Sequence, residues 1–143
     1  MNVEDDPRVF ASFMKCVLHG QDIVMFSDGS ARRPFCYMAD AIVAFLLLLL
    51  KGKRGESYNV CNTADFLSST ELANIMVDLR PDMKLKIIYK KRDNNQNYLE
   101  NESNKANKPI ETKLKSLGWQ CHFDCKRGFS NVLQYLLEKQ QKS

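Results

Sequence analysis

Apolar positions along the chain change period several times, and each change marks an element. Val9, Phe10, Phe13, Met14, Val17 and Leu18 recur at helical spacing. The acidic residues ahead of them predict a helix start, with Asp6 as cap, Pro7 at the first helical position and Gly20 as the stop. Ile23-Val24-Met25-Phe26 before Ser27-Asp28-Gly29-Ser30 predicts a strand and then a turn. Pro34 disfavours the helical region for Arg33, so Arg32 to Tyr37 reads as a loop running into a short extended piece. The unbroken run Ala41 to Leu50 predicts a buried helix ending at Lys51-Gly52. Asp40 stands at its mouth, where a carboxylate can cap free backbone N–H groups.

Further on, Ser57 to Asn62 alternates like a strand, and Ser68-x-x-Glu71 is a capping box opening a helix through about Leu79. Leu85 to Tyr89 predicts another strand. Over 90–108 asparagine replaces apolar residues and no period survives, which predicts a loop that is mobile in isolation. Thr112 to Trp119 reads as a short helix closed by Gly118. Lys126 to Lys139 is the last helix, with Phe129, Val132, Leu133, Leu136 and Leu137 on one stripe. The expected fold is mixed α/β, about five helices with three or four short strands, as a single domain over 1–143.

Composition narrows the possibilities without naming a chemistry. With 143 residues, 44% hydrophobic and 27% charged, one folded domain with its own core is expected. The net charge of +4 is mild and the basic residues are dispersed, which argues against a nucleic-acid partner. Five cysteines at no zinc or redox spacing predict free thiols in a reducing, cytoplasmic setting; Cys121-x-x-x-Cys125 around His122 offers too few ligands for a tetrahedral metal site. The acidic start lacks the apolar core of a signal peptide. The apolar run of ten residues is half of the roughly 20 that a membrane span needs, so no membrane partner is expected.

Three stretches carry more information. The first is Asp6-Pro7-Arg8-Val9-Phe10-x-x-Phe13, then Gly20 to Ser30, then Arg33-x-Phe35-Cys36-Tyr37-Met38-x-Asp40. The second is Tyr58-Asn59-Val60-x-Asn62 followed by Ser68-x-x-Glu71-Leu72-Ala73. The third is Thr112 to Trp119 followed by Gly128-Phe129. In this order and at these distances they resemble the C-terminal part of the extended short-chain dehydrogenase/reductases, a family of NAD-dependent nucleotide-sugar epimerases, dehydratases and decarboxylases. The resemblance implies the small substrate-binding portion of such an enzyme, with the Rossmann domain missing and the sequence beginning where the family chain is already leaving that domain.

It also implies roles for residues. Arg33 matches the family's pyrophosphate-binding arginine, and a guanidinium grips phosphate oxygens bidentately as lysine cannot. Arg32 is expected to be its solvent-facing neighbour. Val24, Met25 and Phe26 fall where the family lines its nucleobase pocket, and Phe10 and Phe13 are candidates to extend it, although apolar residues in such positions also build cores. A second family arginine, before the Gly-Trp helix, is replaced here by Lys105 and Lys108, with Asn107-Lys108-Pro109 as a loose substitute. The family's NAD site needs closely spaced glycines, and none of the six glycines has that spacing. The one Tyr-x-x-x-Lys pair, Tyr135 and Lys139, sits on the terminal helix as ordinary i,i+4 neighbours. The expectation is a nucleotide-sugar partner (UDP-, dTDP- or similar), no cofactor or catalysis in this chain, and exposed apolar surface able to self-associate. A free-standing binding or regulatory module that docks on a full-length homologue, and a remnant that merely folds, remain open alternatives.

Overall fold

The structure is a computed structural model and describes residues 3, 6–90 and 108–142. The stretch 91–107, which holds almost all of the expected mobile loop together with Lys105 and Asn107, lies outside the described residues. The elements run α1 (Val9–Leu18), β1 (Ile23–Met25), β2 (Arg32–Phe35), α2 (Met38–Lys51), β3 (Asn62–Ser68), α3 (Ser69–Val77), a 3-10 turn (Pro81–Met83), β4 (Ile87–Tyr89), α4 (Thr112–Ser116) and α5 (Cys125–Gln141). Five helices and four short strands among the described residues make the mixed α/β unit that the sequence pattern predicts.

The strands form two separate pairs. β1 lies parallel to β4, with Ile23 opposite Ile87 and Met25 opposite Tyr89. Asp22 begins this ladder by accepting from the Lys86 N–H at 2.8 Å. β2 lies antiparallel to β3, with Arg32 opposite Ser68, Arg33 opposite Leu67, and a register shift between Pro34 and Phe35. The shift falls where proline has no N–H to give the ladder.

The main core forms where α1, α3, α5 and β1 meet. Phe13, Met14, Val17 and Leu18 come from α1, Leu72, Ala73 and Met76 from α3, Ile23 and Met25 from β1, and Leu133 and Leu136 from α5. The turn after β1 locks onto α3. Gly29 has φ +74°, and a Cβ there would fall 2.1 Å from Thr70 Oγ1 and 2.6 Å from Met25 Cε. The Thr70 N–H donates to the Gly29 carbonyl at 3.1 Å. The expected capping box is complete: Ser68 Oγ accepts from Glu71 N at 3.1 Å and Glu71 Oε2 accepts from Ser68 N at 2.7 Å.

Three expectations need correction. α1 starts at Val9 with Arg8 as N-cap, two residues later than predicted, because Asp6 holds Arg8 through its backbone N–H and guanidinium instead of capping a helix that begins at Pro7. The second strand is displaced: Ser57 to Cys61 forms no strand, and pairing begins at Asn62, opposite Phe35 of β2. Most consequentially, α2 is not buried. Only Asp40 and Ala44 are buried on it, whereas Leu49 and Leu50 are 82% and 83% exposed.

Asp40 also does something other than cap its own helix. Its carboxylate accepts from the backbone N–H groups of His122 at 3.2 Å and Phe123 at 2.9 Å, and Cys121 Sγ lies 3.1 Å from Oδ2. Its backbone carbonyl accepts from Trp119 Nε1 at 3.0 Å. Around this knot a second small core collects Ala44, Leu114 and Trp119, with Cys36, Leu47, Leu48, Val60 and Cys121 against it. Burial pushes the Asp40 carboxyl up, but the Cys121, Phe123 and His122 donors outweigh it and hold the pKa below the usual carboxylate range. Burial and the adjoining Asp40 push the Cys121 thiol up to about 12, which makes it a poor nucleophile at neutral pH.

Asp40→Asn keeps the shape but replaces a charged acceptor by an amide, and a loss of about 2 kcal/mol in urea unfolding is expected from weakening hydrogen bonds to a buried charge. Because the folded pKa is depressed, the carboxylate contributes fully above its unfolded pKa of about 3.9, and its contribution fades as pH falls through the folded value. Wild type and Asp40→Asn should therefore converge in stability on acidification; a gap that stays constant down to pH 2 would contradict this role. Gly29→Ala should lower the urea midpoint by at least about 1 kcal/mol equivalent, since both the positive φ and the Thr70 contact oppose a Cβ. An unchanged midpoint would show that the turn has room.

Candidate functional site

The β2–β3 ribbon separates its two arginines because neighbouring strand residues face opposite ways. Arg32 is exposed yet fully engaged: its guanidinium donates to the Phe66 carbonyl at 2.6 Å, pairs with Glu71 Oε2 at 3.0 Å and lies 5.5 Å from the Phe66 ring centroid. It faces solvent and is at the same time a clip between β3 and the start of α3. The Glu71 carboxyl sits below its usual pKa, chiefly through the Ser68 N–H, against a smaller opposing effect of burial, with Arg32 adding to the depression. Arg33 remains exposed and donates from Nη1 to the Arg32 carbonyl at 2.8 Å.

The apolar candidates divide into core and surface. Phe13 and Met25 are core side chains, 6% and 4% exposed. Val24 is half-buried and Phe26 is 50% exposed at the end of β1. Phe10 is half-buried beneath Arg8, whose guanidinium carbon lies 4.6 Å from the ring centroid. Phe129 of α5 links Phe10 to β2, with ring centroids 6.3 Å from Phe10 and 6.2 Å from Phe35. Phe10 is thus joined, through two rings, to the strand that carries Arg33, while Val24 and Phe26 belong to the other strand pair. Lys108 is exposed at the edge of the described residues.

Two shallow recesses lie elsewhere, and none of the six candidates lines either. One, of about 460 Å³, is bordered by Asn62, Thr63, Glu111, Lys115, Trp119 and Cys121. Its charges are mutually satisfied: Glu111 accepts from Thr63 Oγ1 at 2.7 Å and pairs with Lys115 one turn along α4. Burial pushes the Glu111 carboxyl up, but Lys115 and Thr63 pull it below its usual value. No sequence pattern signals this link, because Thr63 and Glu111 are joined only by the fold. The other recess, of about 410 Å³, lies among Asp78, Leu79, Asp124, Lys126, Arg127 and Ser130. There Asp124 caps α5 through the Arg127 N–H at 2.7 Å, and Arg127 stacks over Phe123.

Among the described residues no glycine opens onto a helix N-terminus in the way a dinucleotide-binding turn does. A dinucleotide needs a glycine-rich turn opening onto free helix N–H groups. Gly29 is packed against Thr70 and Met25, and Gly128 lies inside α5 against Tyr37. The N-terminus of α3 is occupied by its capping box and that of α5 by Asp124. Tyr135 is 56% exposed on the outer side of α5. Among the described residues no three His, Cys, Asp or Glu side chains gather as a metal site requires, and no helix is long and apolar enough to cross a membrane.

Comparison with known proteins gives this geometry its context. Residues 2–61 match the model of the NAD dependent epimerase/dehydratase family. UDP-glucuronic acid decarboxylase 6 of Arabidopsis thaliana is 30% identical over 84% of this chain and 32% of its own length. Human dTDP-D-glucose 4,6-dehydratase is 26% identical over 92% of this chain and 37% of its own. The chain thus spans about a third of the length of these relatives. Among solved structures, the UDP-glucose 4-epimerase of Thermotoga maritima, determined with UDP-glucose, superposes with a TM-score of 0.78 at 21% identity, covering 97% of this chain and 42% of that one. A GDP-L-fucose synthetase from Naegleria fowleri gives 0.74 at 20% identity over 99% of this chain and 43% of that one. The common fold and the matched sequence agree with the three motif stretches, and the chain is related to the NAD dependent epimerase/dehydratase family of extended short-chain dehydrogenases/reductases.

Proposed function

We propose that this chain is the nucleotide-sugar-binding portion of an epimerase/dehydratase-type enzyme and has no catalytic activity alone. The observation that carries the reading is the division of labour on β2: Arg32 is consumed by Glu71 and Phe66, while Arg33 is exposed, with Nη1 on the Arg32 carbonyl. A guanidinium held on a paired strand is a preorganised partner for pyrophosphate oxygens. Phe26, half exposed, and Val24 offer apolar surface for a base, with Phe10 on the Arg33 side; Met25 and Phe13 support that surface from the core. Relatives whose names specify UDP- and dTDP-linked sugars support the substrate class. The NAD that this family uses would be held by polypeptide outside this chain, since no glycine here makes a phosphate-binding turn.

Titration calorimetry with UDP-glucose, UDP-glucuronic acid and dTDP-glucose should show weak binding of at least one, reduced at least about tenfold by Arg33→Ala, the value of one charge-assisted contact. Equal, negligible heats for wild type and variant would remove the binding claim. Stability should follow the opposite order: Arg32→Ala should cost about 0.5–1 kcal/mol through its lost clip and packing, and Arg33→Ala less than about 0.5.

Catalysis has its own test. Mixing the chain with NAD and the same nucleotide sugars should give no absorbance change at the NADH band. A rise that scales with protein concentration would overturn the inactivity.

A further inference from the structure

We infer that the first turn of α3 sets the separation between the surface for the base and Arg33, with Ser69, Thr70 and Glu71 as positioning residues. This rests on the nucleotide-sugar reading above. In that reading the two halves of the ligand fall on different strand pairs. Val24 lies on β1 with Phe26 just beyond it, whereas Arg33 lies on β2. β1 is laddered to β4 and β2 to β3, and among the described residues no ladder joins the two pairs. Residues 26–31 connect them, and a connection of that length left unattached would let the two halves move independently.

The connection is tied down along its length by α3. The Gly29 carbonyl accepts from the Thr70 N–H at 3.1 Å, and the Ala31 carbonyl accepts from the Ser69 N–H at 3.0 Å and from Ser69 Oγ at 3.4 Å. One residue further, the Arg32 guanidinium reaches Glu71 and the Phe66 carbonyl. On the other side, Thr70 Oγ1 lies 3.2 Å from the Tyr89 hydroxyl, and Tyr89 stands opposite Met25 in the β1–β4 pair. The first turn of α3 therefore touches both strand pairs and the turn between them. It is itself held from two directions by the Ser68/Glu71 capping box. The fit leaves no slack at Gly29, where a Cβ would strike Thr70 Oγ1 and Met25 Cε.

A ligand that carries base and pyrophosphate on one frame binds better than its separate halves only when the two subsites are held at the matching distance. Loosening the α3 anchor removes that advantage and leaves each half-contact as it was. Damage to the fold at large would instead weaken whole ligand and halves alike. The two cases are separable by titrating the halves on their own.

Ser69→Pro tests this, because proline is favoured at the first helical position while it removes both donors to Ala31. Amide NMR titrations of the full chain with UDP, uridine and inorganic pyrophosphate, the last two to about 50 mM, should show all three binding to wild type. In Ser69→Pro the affinity for UDP should fall at least about fivefold, with uridine and pyrophosphate each changed less than about twofold. If that variant loses helical circular dichroism, Glu71→Gln makes the same comparison, since an amide oxygen can keep the cap but not the ion pair with Arg32. UDP affinity equal in wild type and variant overturns the positioning role and leaves the nucleotide-sugar reading standing. So does a parallel loss for all three ligands, or a wild type that binds UDP but neither half. A wild type that binds no UDP removes both readings.

Discussion

One carboxylate organises the half of the molecule that lacks a large core. Asp40 receives two backbone N–H groups and faces a thiol on the Cys121–Phe123 stretch, while its own carbonyl receives the Trp119 indole. Those contacts join the first third of the chain to its last fifth. Without them α2 would rest on little more than Ala44, Leu47 and Leu48, since its remaining apolar residues face outward. The position of α2 is therefore set by polar geometry more than by hydrophobic burial, an unusual balance for a helix so rich in leucine. The C-terminal turn leading into α5 is fixed by the same group, so the two features cannot move independently.

Local chemistry was legible in the sequence and long-range pairing was not. The Ser68/Glu71 box, the Gly20 and Gly118 stops and the α5 stripe all depend on residues within one or two turns, and each forms where the pattern placed it. The true start of α1 was hidden because Asp6 and Pro7 make a plausible cap, while the actual competition is Asp6 for Arg8. The β3 boundary was misplaced because alternation at Ser57 to Asn62 describes an extended chain, and only the partner strand decides which part is paired. A leucine run likewise announces apolarity without saying whether this chain supplies the cover. For the proposed site, resemblance pointed to Arg33 and left Arg32 as its solvent-facing neighbour, but gave no physical reason for the difference. That reason lies in the contact with Glu71, which is also the capping residue of α3.

In the proposed site the two arginines divide their tasks along one strand. Arg32 fastens the ribbon to α3, and the rigidity so gained belongs to its neighbour one position along. Phe35 and Phe129 continue this support toward α1, with rings in contact distance from β2 to Phe10. Arg32, Glu71 and Phe129 thus bear on the placement of Arg33 through the ribbon that carries it.

The pairing of α1 with α5 bears on how such a chain comes to be folded at all. Residues from the first fifth of the sequence bury themselves against Leu133 and Leu136 near its end. β1 in turn waits for β4, nearly half the chain away. Contacts of this span close slowly, because a long loop must be ordered before any of them forms. α1 precedes α5 in synthesis by more than a hundred residues, so the side of α1 that meets Leu133 and Leu136 stays uncovered until α5 emerges. The interval between those two events is when the nascent chain depends most on chaperones.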